Sequence, residues 1–342
     1  MLAIKISSRN SLKLSSIKPP ALGPWDLRVS VAVTCVCGSD LKNIRDPKVM
    51  GQIPGHEFSG LVTELSNQSK NLFALGDRVT AFPMMPCHSC VNCKNREFRN
   101  CDSKKSLGFD IPGSLAESVV VDSRMVIKIP DSLGLIEAAL TEHLACGYRL
   151  VEELKNGELQ KGSLITIFGD GPIALADLQM LMISGFRNVI VVGKHPHRLD
   201  IATRLGAVET FLLDSFLQSE FEGMSNSAAI FAAPFDLRLE QLIENLSPKV
   251  LVIEQSRLPL KVVEGLYSRG VSIKPAFAYD ILDFTAVFQL ITEGKVLISP
   301  LVSQFISLKE FCFSFPSVMD KSKLVKLLVV VNKELFDREL TN

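Results

Sequence analysis

Two textures of hydrophobic spacing divide the chain. Up to about residue 145, apolar positions fall in short β-rich runs such as Leu27–Cys35, Gly60–Glu64 and Ser118–Val121, broken by Pro, Gly and Asn. Brief runs between turn formers predict an irregular all-β domain. From Leu164 the pattern changes to alternation: Leu164–Phe168 and Val189–Val192 read as strands, and Pro172–Ser184 as a helix closed by Gly185. It continues through a strand at Ala228–Ala233, a helix at Leu237–Leu246 and the apolar strand Val250–Ile253. Strands separated by helices imply a parallel sheet with helices on its faces, because parallel neighbours need a long crossover. After about residue 290 short mixed elements return, in a position to complete the first domain. No internal repeat or low-complexity tract interrupts this order.

The turn between the first alternating strand and its helix is Gly169-Asp170-Gly171-Pro172-Ile173-Ala174. A glycine-rich turn after a strand and before a helix is the setting of a dinucleotide-binding fingerprint. Gly169 suits the tight turn, Gly171 lets the backbone approach a pyrophosphate, and Ala174 is small enough for close helix–strand packing. Pro172 fits the first helical turn, where its missing N–H has no partner to lose. An αβ connection with no ligand would read the same way, so the motif depends on the rest of the chain.

Composition narrows the chemistry. Thirty-seven basic residues balance thirty-seven acidic ones, so no long-range field favours nucleic acid, anionic lipid or a highly charged substrate. No apolar run approaches the ~20 residues of a membrane span, and the expectation is a soluble, cytoplasmic protein that meets a small-molecule ligand. Of the 8 cysteines, four are spaced C-x2-C-x2-C-x7-C as Cys87, Cys90, Cys93 and Cys101. Four thiolates complete a tetrahedral Zn2+ site and leave no open position, which marks a structural zinc. His88, inside the loop, is expected to be an exposed bystander. A zinc ribbon for nucleic acid would use the same four thiols but would bring a basic surface that a neutral chain lacks.

Three further strings stand in order before this cluster and the glycine turn: Cys37-Gly38-Ser39-Asp40, Gly55-His56-Glu57-Phe58-Ser59-Gly60 and Gly76-Asp77-Arg78-Val79. With them the chain resembles the zinc-containing medium-chain dehydrogenases over essentially its whole length, especially the polyol branch with sorbitol and threonine dehydrogenases. The resemblance implies a GroES-like β-barrel catalytic domain over 1–147, completed by 292–342, with a doubly wound Rossmann domain inserted at 148–291. It implies a second, catalytic zinc held by Cys37, His56 and Glu142, the last in Leu140-Thr141-Glu142-His143-Leu144-Ala145. Glu57 is either a partner behind these ligands or an exchangeable ligand, and Asp40 is placed to orient His56. Taken singly, each residue has a plainer reading: a buried thiol, a hydrogen-bonded turn histidine, an acid at a helix start.

The resemblance further implies hydride transfer between a nicotinamide cofactor and an alcohol/ketone pair, with Ser39 passing the proton outward, in a homodimer or homotetramer. The substrate is expected to be a secondary alcohol, polyol, cyclitol or amino alcohol. A primary alcohol or aldehyde is the alternative, and a non-catalytic dinucleotide or zinc sensor on the same scaffold is the rival of another class. Departures are visible too. Lys42 and Asn43 stand where the family often has a relay histidine, and His143 replaces a proline and offers a rival donor. Ser247-Pro248-Lys249 replaces a common glycine pair. Gly193 stands thirteen positions before Gly206 (206 − 193 = 13), the interval at which relatives carry an acid that reads the cofactor ribose. With Gly193 leaving room and Lys194, His195 and Arg198 close by, NADP is favoured over NAD at Gly169, Gly171, Pro172 and Ile173, though those cations would also be at home in solvent.

Overall fold

The computed structural model describes residues 1–155, 159–218, 227–233, 248–254, 259–276, 278–320 and 324–341. Their contacts divide into two units, Met1–Glu142 with Asp280–Ile298 and Val302–Asn342, and His143–Tyr279 with Ser299–Leu301. The helix expected over Leu237–Leu246, and Ser247 after it, lie outside the described residues.

The first unit is built on a mixed sheet, seven-stranded among the described residues, in the order Val302–Ser307, Lys326–Val330, Asp26–Cys35, Glu57–Leu65, Arg78–Ala81 and Val126–Lys128, with Ser118–Asp122 paired to Asp26–Cys35. Along Asp26–Cys35 inward and outward positions alternate until Val31, after which every side chain is buried. Leu27, Val29 and Val31 pack with Phe58, Val62, Val79 and Val121 in one core. Burying such side chains contributes roughly 1.5–3 kcal/mol each and fixes the register, since a one-residue slip would turn the whole set outward.

That register sets up the site. Asp26–Cys35 runs antiparallel to Glu57–Leu65 and ends on the pair Cys35↔Glu57. Cys37, just past one strand, and His56, just before the other, therefore emerge side by side. Lys326–Val330 pairs on the opposite edge through Leu328↔Cys35. Continued for two residues, this antiparallel register brings Lys326 opposite Cys37.

The second unit holds a six-stranded parallel sheet, counted among the described residues, in the order Glu209–Leu212, Val189–Gly193, Ile165–Phe168, Ala228–Phe231, Val250–Ile253 and Ser272–Pro275. By position in this sheet the order is 3-2-1-4-5-6, the doubly wound arrangement whose strand order reverses between the first and fourth strands. Phe168 stacks on Phe231 with ring centroids 5.0 Å apart, inside a core shared with Val192, Phe216, Leu251 and Leu266. Helix Pro172–Ile183 buries every residue from Ala174 to Leu181, as expected of a helix that is apolar nearly all round. It stops where predicted: Gly185 takes φ +90°, and Phe186 N–H returns to the Leu181 carbonyl at 3.0 Å, a glycine-terminated end that satisfies carbonyls of the last turn. Among the described residues no helix is long and apolar enough to cross a membrane.

Candidate active site

Cys37 is the N-cap of helix Gly38–Arg45, and its backbone N–H donates to Asp40 Oδ2 at 3.0 Å. The other oxygen of Asp40 accepts from Gly55 N–H at 2.9 Å and lies 3.3 Å from His56 Nδ1. One fully buried carboxylate thus ties the helix start to the loop that carries His56. The opposite ring nitrogen, His56 Nε2, faces Ser39 Oγ at 3.4 Å and Glu142 Oε1 at 4.0 Å. Glu142 lies in the first turn of helix Thr141–Leu154. Donor atoms of Cys37, His56 and Glu57 all lie within 4.8 Å of one another. Burial alone would lower the His56 pKa, but Asp40, then Cys37 and Glu142, hold its imidazolium well above the ordinary range. Carboxylates that draw positive charge onto the His56 imidazole make a setting chemically suited to a cation, and Cys, His and carboxylate together are a zinc donor set.

Behind this cluster stands a residue with no local motif to reveal it. Lys326 Nζ, 1% exposed, lies 2.5 and 2.6 Å from the two oxygens of fully buried Glu57. Both oxygens are therefore turned toward the lysine even though Glu57 is within ligand distance of Cys37 and His56. Asn43, at the relay position, donates to the Gly108 carbonyl at 3.1 Å and to Gln52 Oε1 at 3.3 Å; its role there is to tie loops together. His143 is buried.

The four other cysteines converge independently. Donor atoms of Cys87, Cys90, Cys93 and Cys101 lie within 4.8 Å of one another, with Sγ–Sγ separations of 3.4 Å for Cys90–Cys93 and 3.8 Å for Cys87–Cys93. All are free thiols. Backbone N–H groups of Cys87 and Cys90 point at sulfur, onto Cys101 and Cys87, each at 3.4 Å. Hydrogen bonds from Ser89 and then Cys90 hold the Cys87 thiol down to about 5, while burial and the neighbouring thiols push Cys93 up to about 12, so the two sulfurs share one proton unequally. His88, expected to be an exposed bystander, is half-buried, 3.2 Å from Asp122 Oδ2 and edge-on to Phe98. It fastens the loop to the sheet.

In the parallel-sheet unit, Gly169 takes φ +135°, closed to other residues, and a Cβ there would meet the Ala232 backbone carbon at 3.1 Å. Gly171 caps helix Pro172–Ile183, and a Cβ on it would meet nothing within 4 Å. The turn therefore presents open space at a helix N-terminus, at the reversal of strand order, as a pyrophosphate requires. Ile173 follows Pro172 in the first helical turn. One expectation is corrected here: Gly193 does not leave room. A Cβ on it would lie 2.5 Å from Asp170 Cβ and 2.6 Å from Asp170 Oδ2, because Asp170 folds over the end of Val189–Gly193. Its Oδ2 accepts from the backbone N–H of Lys194 at 2.7 Å and of His195 at 2.6 Å, and lies 3.0 Å from His195 Nδ1. Arg198, buried, comes within 3.6 Å of Oδ1. The sequence signal was an acid inside a motif made to receive phosphate.

Comparison with known proteins agrees with this geometry. The alcohol dehydrogenase GroES-like domain family matches residues 23–131. An L-idonate 5-dehydrogenase of Vitis vinifera is 26% identical over 313 residues, covering 86% of this chain and 84% of the relative. A sorbitol dehydrogenase of Arabidopsis thaliana is 26% identical over 331 residues, 91% of this chain and 88% of the relative. The crystal structure of an alcohol dehydrogenase from Aeropyrum pernix shares the fold with a TM-score of 0.85 at 20% identity, covering 97% of this chain and 100% of that one.

Proposed function

This chain belongs to the zinc-type medium-chain alcohol and polyol dehydrogenases, and from that premise we propose that it moves hydride between a nicotinamide dinucleotide and a secondary alcohol/ketone pair such as a polyol, cyclitol or amino alcohol. The observation that carries this reading is the approach of Cys37, His56 and Glu142, with donor atoms of Cys37 and His56 within 4.8 Å of each other and Glu142 Oε1 4.0 Å from His56 Nε2. Zinc held there would supply the Lewis acidity that makes an alcohol acidic near neutral pH, and a bound nicotinamide would supply the hydride acceptor or donor. Cys37, His56 and Glu142 would hold the ion. Asp40, 3.3 Å from Nδ1, fixes the ring so that Nε2 faces the site. Ser39, 3.4 Å from that same nitrogen, is placed to accept the substrate proton and pass it outward. Lys326 neutralises Glu57 and holds it back from the donor set. Gly169, Gly171, Pro172 and Ile173 present backbone to the cofactor pyrophosphate.

Oxidation of secondary alcohols, polyols, cyclitols, amino alcohols and simple primary alcohols, followed by absorbance of the reduced nicotinamide, tests the reading. Turnover is expected with the secondary and polyhydric compounds, lost on chelation and restored by zinc. A zinc-replete protein that binds cofactor yet oxidises none of them would overturn it.

The Cys87 loop is proposed to carry a second, structural zinc. Cys90→Ala is expected to lower metal content from two ions per chain to one and melting temperature on the order of 5–10 °C, because metal-binding energy is folding energy. Residual activity well below the melting point should persist. An unchanged metal count by elemental analysis would remove the structural site.

A further inference from the structure

Asp170 belongs to no expected role, and what it touches is specific. We propose that Asp170 selects the cofactor: its carboxylate takes the place of the acid missing at Gly193, so that the chain prefers NAD(H) to NADP(H). The inference rests on the dehydrogenase reading above and reverses the preference that Gly193, Lys194, His195 and Arg198 suggest on their own.

Three observations support it. The first is space. A Cβ on Gly193 would fall 2.5 Å from Asp170 Cβ and 2.8 Å from Asp170 Cγ, so the volume in which a strand-terminal acid would begin is occupied by the side chain of the turn acid. The second is hydrogen bonding. A 2′-phosphate in this corner would be received by the N–H groups that precede helix Pro196–Arg204 and by the cations around them. Asp170 already holds the N–H groups of Lys194 and His195 at 2.7 and 2.6 Å, with His195 Nδ1 at 3.0 Å and Arg198 at 3.6 Å. It acts as an internal anion on the donors a phosphate would need. The third is charge. Asp170 is 6% exposed, and a second anion placed beside it meets like-charge repulsion at close range in a poorly screened corner. A ribose bearing a plain 2′-hydroxyl meets none, and can donate to Oδ1, which lies 3.2 Å from His195 Nδ1 and 3.6 Å from Arg198 and, as a carboxylate oxygen, has more than one acceptor position.

The test is direct binding of NADH and NADPH to the full chain, by nicotinamide fluorescence and calorimetry, in the parent and three variants. The parent is expected to bind NADH at least tenfold more tightly than NADPH. Asp170→Asn keeps the shape and removes the charge, and should improve NADPH relative to NADH by at least tenfold. Gly193→Asp alone should weaken both cofactors, since its side chain has nowhere to go. Asp170→Ala combined with Gly193→Asp should restore tight NADH binding with NADPH still excluded. A merely structural Asp170 would lower both affinities together and leave their ratio unmoved, which would overturn the proposal. So would a parent that binds NADPH as well as or better than NADH. Binding of neither cofactor would overturn the dehydrogenase reading itself, and this inference with it.

Discussion

Lys326→Met is expected to destabilise the unit that carries Cys37 by about 3–5 kcal/mol, the range for stranding one member of a buried ion pair. Lys326 is 1% exposed and Glu57 0%, and both carboxylate oxygens of Glu57 lie within 2.6 Å of Nζ. Methionine fills much of the volume but removes the cation that faces both oxygens of the buried Glu57 carboxylate. Trp25 is the only tryptophan of the chain, lies in the same unit and has the Arg124 guanidinium 4.8 Å above its ring, so its fluorescence in denaturant follows the unfolding that matters. Lys326→Arg, which keeps the charge, should cost less. Lys326→Met with Glu57→Gln should recover most of the loss, because the stranded charge is gone. A single variant within ~0.5 kcal/mol of the parent would show that the pair does not hold the junction.

Lys326 also shows which parts of this protein were legible before folding. The alternating strands were read almost to the residue, Val250–Ile253 as predicted and Leu164–Phe168 one residue longer than the observed Ile165–Phe168. Buried parallel strands are continuous apolar runs bounded by turn formers, and that signal is local. The four-cysteine cluster is local too, spanning fifteen positions from Cys87 to Cys101 (101 − 87 + 1 = 15). Cys37 and His56 stand at the ends of paired strands, but in the sequence their meeting is implied only by the family resemblance that their motifs carry. Lys326 meets Glu57 across a separation of 269 residues, and nothing in the run Lys326-Leu327-Leu328-Val329-Val330 says that its lysine turns inward. Asp170 failed for a different reason. Gly193 was read for the side chain it lacks, whereas its lack of one serves a neighbour 23 positions earlier in the chain (193 − 170 = 23). Propensity reports what a residue does to its own backbone, and space vacated for another side chain is visible only after the strands are aligned.

His56→Ala should abolish turnover, by at least ~10³-fold, while leaving the fold nearly intact. Loss of a metal that stabilises developing charge forfeits several kcal/mol of barrier, and each ~1.4 kcal/mol is a factor of ten. Removing the imidazole takes away one of the three proposed ligands, and the remaining Cys37 thiol and Glu142 carboxylate are too few to retain zinc tightly. The structural cost is small because Asp40, the buried partner of the ring, keeps its bonds from Cys37 N–H at 3.0 Å and Gly55 N–H at 2.9 Å. The helix start and the Gly55 loop therefore stay joined. Zinc content should fall from two ions per chain to one, with the remaining ion on Cys87, Cys90, Cys93 and Cys101. Thermal unfolding of the metal-depleted parent and of the equally metal-depleted variant should nearly coincide, which separates loss of the ion from damage to the fold. Elemental analysis, unfolding and steady-state rates on one preparation decide the matter. Two retained zinc ions, or parental turnover with one, would show that His56 does not hold a catalytic metal and that the imidazole serves only its 3.3 Å contact with Asp40.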